Sequence, residues 1–287
     1  SDSDEALTIP EIGSGTDAGV LGQVDIGISA ATPSISMRDA LYNFGTGNVT
    51  LNTVATGTTT FAKTNDVGVN LGGGDFKIDG KMAITGATDK TLDINSGGGS
   101  IEITKDITGT DGDENLTLDV ATGSTGIVTL GGNVGANSGV ASNLKSVTLV
   151  GTGGVKLTGD ITTSSTAGAI SITGPVTLEG DVIIDADAAA TTVTFNSTAT
   201  VNSDSTTGGH ALTIKTGTAT TGAVAMQAAI GNATPLKSLS INNTGTPAGA
   251  IELVGIGNST GPVYGVIGAT AIGNGSTGSI TLDGTVY

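Results

Sequence analysis

Cysteine and tryptophan are absent from the 287 residues, histidine occurs once, and arginine only at Arg38. Without Cys the chain has no disulfide, no thiolate nucleophile and no Cys-ligated metal. Aromatic side chains are nearly as scarce, at four Phe and three Tyr, so a compact core built around large rings is excluded. Ten basic residues face 26 acidic ones, for a formal net charge of −16. Nucleic-acid binding needs Lys and Arg gathered on one surface, and here they are scattered. The acidic field also repels phosphate backbones and anionic membrane surfaces. No run of 18 apolar residues occurs, so no helix long enough to span a bilayer is expected, and no direct membrane insertion. No basic segment followed by an apolar one opens the chain, as a signal peptide would.

What is present is repetition. Val155-Lys156-Leu157-Thr158-Gly159-Asp160-Ile161 and Val176-Thr177-Leu178-Glu179-Gly180-Asp181-Val182 share one pattern at an offset of 21 residues. The same form stands 27 residues earlier at Val128–Val134, and another 27 earlier at Ile101–Ile107. Val224-Ala225-Met226, Ile251-Glu252-Leu253 and Ile280-Thr281-Leu282 read as its continuation. A second short run precedes each, among them Leu92–Ile94, Leu116–Leu118, Val147–Leu149, Ile170–Ile172, Leu212–Ile214 and Leu239–Ile241. Alternation at period two places apolar side chains on one face of a strand and Thr, Ser, Asp or Lys on the other. The 48 Gly, many in links such as Ser96-Gly97-Gly98-Gly99-Ser100, supply turns and oppose helix.

Short strands recurring every 21 to 29 residues predict an all-β chain folded as a parallel β-helix, or β-solenoid. One rung cannot bury its own apolar face; stacking places aliphatic on aliphatic in columns. Val128, Leu130, Val155, Leu157, Val176 and Leu178 are expected to point inward. A row of β-sandwich domains is the competing architecture, but it normally carries large buried aromatics. Residues 46–287 are assigned to the solenoid. Residues 1–45, with Pro10, Pro33 and an acidic start, are read as a non-repeat N-terminal arm or cap. Ala6–Ile9 and Val20–Ile28 read as strands within it, and Ser36–Tyr42 as a short helical turn.

Ser171-Ile172-Thr173-Gly174-Pro175-Val176-Thr177-Leu178-Glu179-Gly180-Asp181-Val182 and Ala228–Ile241 resemble the repeats of bacterial surface adhesins of the filamentous-haemagglutinin type. The resemblance runs over roughly residues 90–287 and implies a secreted, right-handed β-helix with a structural or adhesive role at the cell surface.

Candidate chemistry is sparse. His210 stands among Gly at a turn, with no Gly-x-Ser-x-Gly elbow anywhere to serve it. Asp185 and Asp187 are spaced as a carboxylate pair on one side of a strand, yet lack neighbouring basic and aromatic residues for a sugar. Asp111, Asp113 and Glu114 form the densest acidic turn and are the candidate calcium ligands. Asn48, Asn115, Asn196, Asn232, Asn242, Asn258 and Asn274 head Asn-x-Ser/Thr sequons, the glycosylation candidates. The leading expectation is a non-enzymatic, extracellular structural subunit that polymerises head-to-tail without a required cofactor. Leu7, Ile9, Val20, Val24, Ile26 and Ile28 at one end, and Ile280, Leu282 and Val286 at the other, are its assembly candidates. An adhesin passenger, or a glycan- or ice-binding module, is the alternative; a polysaccharide-active enzyme is the third. Thr58-Thr59-Thr60 and Thr191-Thr192 are out of register with the repeat as an ice-binding ladder.

Overall fold

The computed structural model describes residues 7–13, 22–27, 32–63, 65–86, 88–135, 143–164, 168–186, 191–205, 209–216, 222–242, 249–258, 265–273 and 278–284. Every regular element among them is a short β-strand, and every strand pairing is parallel. The strands form three long faces that the chain visits in turn, rung after rung, so the molecule is a β-solenoid.

The first face runs from Leu7–Ile9 through Ser34–Met37, Thr58–Lys63 and Lys81–Gly86 to Ile107–Thr108, and resumes from Ile161–Thr163 to Thr270–Ile272. Val134 bridges Ile107 to Ile161 and joins the two halves. The second face stacks ten strands, from Leu41–Asn43 to Ile280–Leu282. At ~4.8 Å per strand that stack is roughly 43 Å long. The third face has eight strands, from Val24–Ile26 to Val201–Ser203, and continues as single bridges through Ile230 to Ile256.

Stacking in register converts the alternation of each strand into columns. On the third face Ile101, Val128, Val155, Val176 and Val201 lie one above another, beside Ile103, Leu130, Leu157 and Leu178. All nine are buried, as the alternation requires. The second face carries Tyr42, Val69, Ile94, Leu118, Leu149, Ile172, Phe195, Met226, Leu253 and Leu282 in one column. The three faces enclose one continuous apolar core along the axis.

Two expectations change here. Val224–Met226, Ile251–Leu253 and Ile280–Leu282 do not continue the Val128–Val155–Val176 column; they stack on Thr192–Phe195 of the second face. After Val201 the third face contracts to single bridges, and the apolar-polar-apolar triplet has the same form on every face.

The second change is at the N-terminus. Leu7–Ile9 pairs with Ser34–Met37, which pairs with Thr58–Lys63, and Val24–Ile26 pairs with Val49–Asn52. The described part of residues 1–45 therefore forms the first rungs of the same three faces, not a separate arm. Ser36–Tyr42 is no helical turn: it is the end of one strand, a bend at Arg38–Ala40, and the start of the next. The bend is held by Tyr42, whose hydroxyl accepts from Asp39 N at 2.7 Å and donates to Ile9 O at 3.2 Å. Tyr42, Phe44, Phe61 and Phe76 are all buried in these N-terminal rungs, and Phe195 is the one described aromatic buried further along the core.

The corners are tight enough to demand glycine. Gly174 has φ +102°, and a Cβ there would sit 1.8 Å from the carbonyl oxygen of Gly151 in the rung below. Gly174→Ala is expected to cost ~1–3 kcal/mol from backbone strain alone, with the clash added. Leu157→Asp places an unpaired carboxylate in the column, at a cost of several kcal/mol, whereas Leu157→Met keeps the volume. Thermal melting followed by circular dichroism should show Leu157→Asp unfolded and Leu157→Met close to the parent; a parent-like Leu157→Asp would refute the register.

Candidate functional site

The recurring Gly-Asp/Asn of the repeat has a structural task. Asp106 Oδ1 accepts from Asn133 N at 2.9 Å, Asn133 Oδ1 from Asp160 N at 2.9 Å, and Asp160 Oδ1 from Ile183 N at 2.7 Å. Each side chain thus satisfies a corner N–H of the next rung, where sheet pairing lapses. A second corner repeats the device: Asn48 accepts from Asp75 N, Asp75 from Ser100 N, and the Ser100 hydroxyl from Ile127 N. These acids serve as axial staples.

The acidic turn is split by burial. Glu114 is 1% exposed. Its Oε1 accepts from the Thr110 amide at 2.9 Å and the Thr110 hydroxyl at 2.5 Å, while its Oε2 is buried with no hydrogen-bond partner. Asp111 is exposed. Partial desolvation of its carboxyl beside the turn, then the neighbouring charge of Glu114, push its pKa above the usual carboxylate value. Among the described residues, no group of three or more His, Cys, Asp and Glu is placed to hold a metal ion.

His210 is more engaged than a solvated loop residue. Its Nε2 lies 3.0 Å from Asp204 Oδ1 and its Nδ1 lies 3.7 Å from Asp181 Oδ1. Asp181 also accepts from Ala211 N at 2.9 Å, and Lys237 approaches it at 3.4 Å. The Ala211 amide foremost, then Lys237 and His210, hold the Asp181 carboxyl below its ordinary pKa. The cluster ties a corner across successive rungs. Asp185 is paired with Lys215 at 3.1 Å, and Asp187 lies outside the described residues.

The sequons differ in access. Asn48 is exposed. Asn242 is 3% exposed, with φ +49°; its Oδ1 accepts from Thr216 N and its Nδ2 donates to Thr216 Oγ1. As folded, its amide nitrogen is committed to the corner and closed to a transferase. Asn196 Nδ2 donates to Thr173, Asn115 accepts from Ser146, and Asn258 Nδ2 donates to Asn232 O. Asn232 is half-buried. Asn274 lies outside the described residues.

The outer surface of the second face went unnoticed in the sequence. Thr117, Thr148, Ser171 and Thr194 stand in one column, at successive rungs, with outward side chains. Asn115 and Ser146 flank it on one side, and Thr173 on the other. The signal was available at offsets of 31, 23 and 23 residues, which a fixed 27-residue period hides. Thr59 and Thr191, by contrast, are fully buried. Of the assembly candidates, Leu7, Ile9, Val24 and Ile26 lie on the first rung, and Ile280 and Leu282 on the last. Val20, Ile28 and Val286 lie outside the described residues.

Asp93 heads this surface. Burial and the charge of Asp119 raise its pKa. A carboxyl whose folded pKa is raised binds its proton more tightly when folded, so its presence lowers stability as pH climbs through that folded pKa. Asp93→Asn should therefore raise the melting temperature at pH 7, by a few tenths of a kcal/mol for a diagonal like-charge pair, and the gain should vanish below the carboxylate range. Melting curves at pH 7 and pH 3 check it. Compared with family models, curated proteins and solved structures, the chain matches none.

Proposed function

We propose that this chain is a structural, non-catalytic β-solenoid of an extracellular cell-surface filament or adhesive fibre, in which copies join end to end. The supporting observation is where the solenoid leaves apolar surface uncovered. Five large hydrophobic side chains are exposed among the described residues, and four of them, Leu7 (42%), Ile267 (55%), Ile280 (46%) and Leu282 (54%), lie on the outermost rungs. Apolar side chains on an outermost described rung suit cover by a further rung, since one rung cannot bury its own apolar face. The resemblance of Ser171–Val182 and Ala228–Ile241 to filamentous-haemagglutinin repeats supports the surface location. No cofactor is required for such a role. The ion pairing of Asp185 with Lys215 disfavours a catalytic carboxylate there.

A second reading rests on the Thr117–Thr148–Ser171–Thr194 column: a flat row of hydroxyls suits a glycan surface or ice. Loss of such binding in Thr148→Tyr, with fibres intact, would favour it.

Electron microscopy across a salt series tests the fibre role. With −16 per chain, like-charge repulsion opposes contact, and screening at ~0.15 M and above relieves it. Fibres should lengthen as salt rises. Leu282→Lys, at an exposed position, should melt within ~0.5 kcal/mol of the parent yet form no fibres. Monomers at every salt concentration would refute the role.

A further inference from the structure

Where the second set of corner staples meets the outer side of the third face, successive rungs form a cavity of about 210 Å³. Asn48, Asp75 and Ser100 line one wall; Thr50, Lys77 and Glu102 line the other, stacked in register. Between the walls Val49 and Phe76 turn into the core, each 1% exposed, so the floor is backbone. The staples use one side-chain atom of each corner residue. Asn48 Oδ1 accepts from Asp75 N at 2.9 Å, and Asp75 Oδ1 from Ser100 N at 2.7 Å. Asn48 Nδ2 and Asp75 Oδ2 stay outside these bonds, on exposed residues. Across the cavity Lys77 meets Glu102 at 3.3 Å, with side chains 38% and 44% exposed. An ion pair this open contributes little by itself, and its charges are accessible to a ligand. Behind the staples the rungs lie directly on one another. A Cβ on Gly74 would meet Gly47 O at 2.1 Å, and one on Gly99 would meet Gly74 O at 2.2 Å. The corner residues that follow these glycines are thus held in place before a ligand arrives.

We propose that this cavity binds one neutral sugar residue of a glycan through the hydroxyls of its ring. Three observations carry it. The walls mix acceptors, Asp75 Oδ2 and the Glu102 carboxylate, with donors, Asn48 Nδ2 and the Lys77 ammonium. A sugar hydroxyl is donor and acceptor at once and satisfies both kinds. Charge disfavours the other small ligands: two carboxylates in a chain of net −16 oppose an anion, and the Lys77 ammonium beside Glu102 opposes a bare metal cation. The volume lies below the ~300 Å³ at which pockets for drug-sized molecules begin, so it admits one ring rather than several. The site is on the third face, apart from the Thr117–Thr194 row of the second, and does not depend on the fibre reading.

The division of atoms at the staple allows a test that leaves the corner intact. Asp75→Asn keeps Oδ1 as acceptor for Ser100 N and turns only the outward oxygen into an amide donor. Parent and variants are made in a host without N-glycosylation, so that Asn48 stays unmodified, and labelled with ¹⁵N. At low salt they are titrated with glucose, galactose, mannose and N-acetylglucosamine. Each is taken to roughly 100 mM, a hundredfold excess over a Kd of ~1 mM. At least one of these sugars should shift the amide signals of residues 48–50, 75–77 and 100–102 in the parent, leaving Thr117, Thr148 and Thr194 unmoved. Asp75→Asn should melt close to the parent and weaken that sugar about tenfold, the effect of one hydrogen bond to a charged group. Glu102→Gln, at the exposed ion pair, should do the same and carries the comparison alone if Asp75→Asn fails to fold. Anionic glucuronate should bind more weakly than the best neutral sugar. No shift with any neutral sugar, shifts of equal affinity in parent and variants, shifts on the Thr row instead, or glucuronate bound as tightly would each overturn the proposal. All readouts are taken on single rods, so a failure of the fibre role leaves this result unchanged.

Discussion

The parallel hydrogen-bonded contact between a strand and its counterpart one rung away is the constraint on which everything else rests. Because it recurs at a single spacing of ~4.8 Å, each residue must tolerate a near-identical neighbour above and below. Aliphatic side chains meet that demand inside the rod, which is why Val128, Val155 and Val176 share a column. Charged residues do not meet it unless their signs alternate. Lys77 is accordingly stacked next to Glu102, at 3.3 Å, and Lys156 beside Glu179, at 2.8 Å. Asp93 and Asp119 on the second face break the rule, and the charge of Asp119 adds to desolvation in raising the pKa of Asp93.

Corners cannot obey the sheet pattern, and two devices take over there. Gly lets one backbone lie on another: a Cβ on Gly174 would meet the Gly151 carbonyl at 1.8 Å. Asp and Asn supply a side-chain oxygen to a corner N–H, as in the Asp106–Asn133–Asp160 series. The excess of acidic residues thus has a local cause, since part of it caps backbone donors from rung to rung. The same excess leaves the chain with a formal net charge of −16, a field that salt screens.

Period-two alternation and the recurrence of V-x-L-x-G-D made the solenoid and its inward residues readable from the amino-acid order. Face identity was not readable, because Val176-Thr177-Leu178 and Val224-Ala225-Met226 look alike while lying on different faces. Rung length varies, so counting forward by 27 drifts from one column into the next; the hydroxyl row at Thr117, Thr148, Ser171 and Thr194 was lost for that reason. The first 45 residues read as foreign because of Pro10, Pro33, Met37, Arg38 and an acidic start, although their strands place Met37 and Tyr42 where later rungs use Val, Ile and Leu. Only pairing across rungs shows that the larger side chains fill the same core. Glu114 illustrates the reverse case. Beside Asp111 and Asp113 it reads as a solvated acid, yet the corner folds it inward onto Thr110.

A solenoid differs from a globular domain in that its outer rungs are made of the same contacts as its interior. In a globule, exposed aliphatics are scattered and need no explanation. Here Leu7 and Leu282 are exposed on the outermost described rungs, whereas the equivalent positions Ile35 and Leu253, one rung inward, are fully buried. Burying a side chain of this size is worth about 1.5–3 kcal/mol, a gain that the proposed contact between copies draws on. Repulsion between acidic rods is the term that opposes this gain, and it acts through solvent, where ions weaken it. In the proposed fibre, apolar contact between copies is therefore set against a field along the flanks that salt screens.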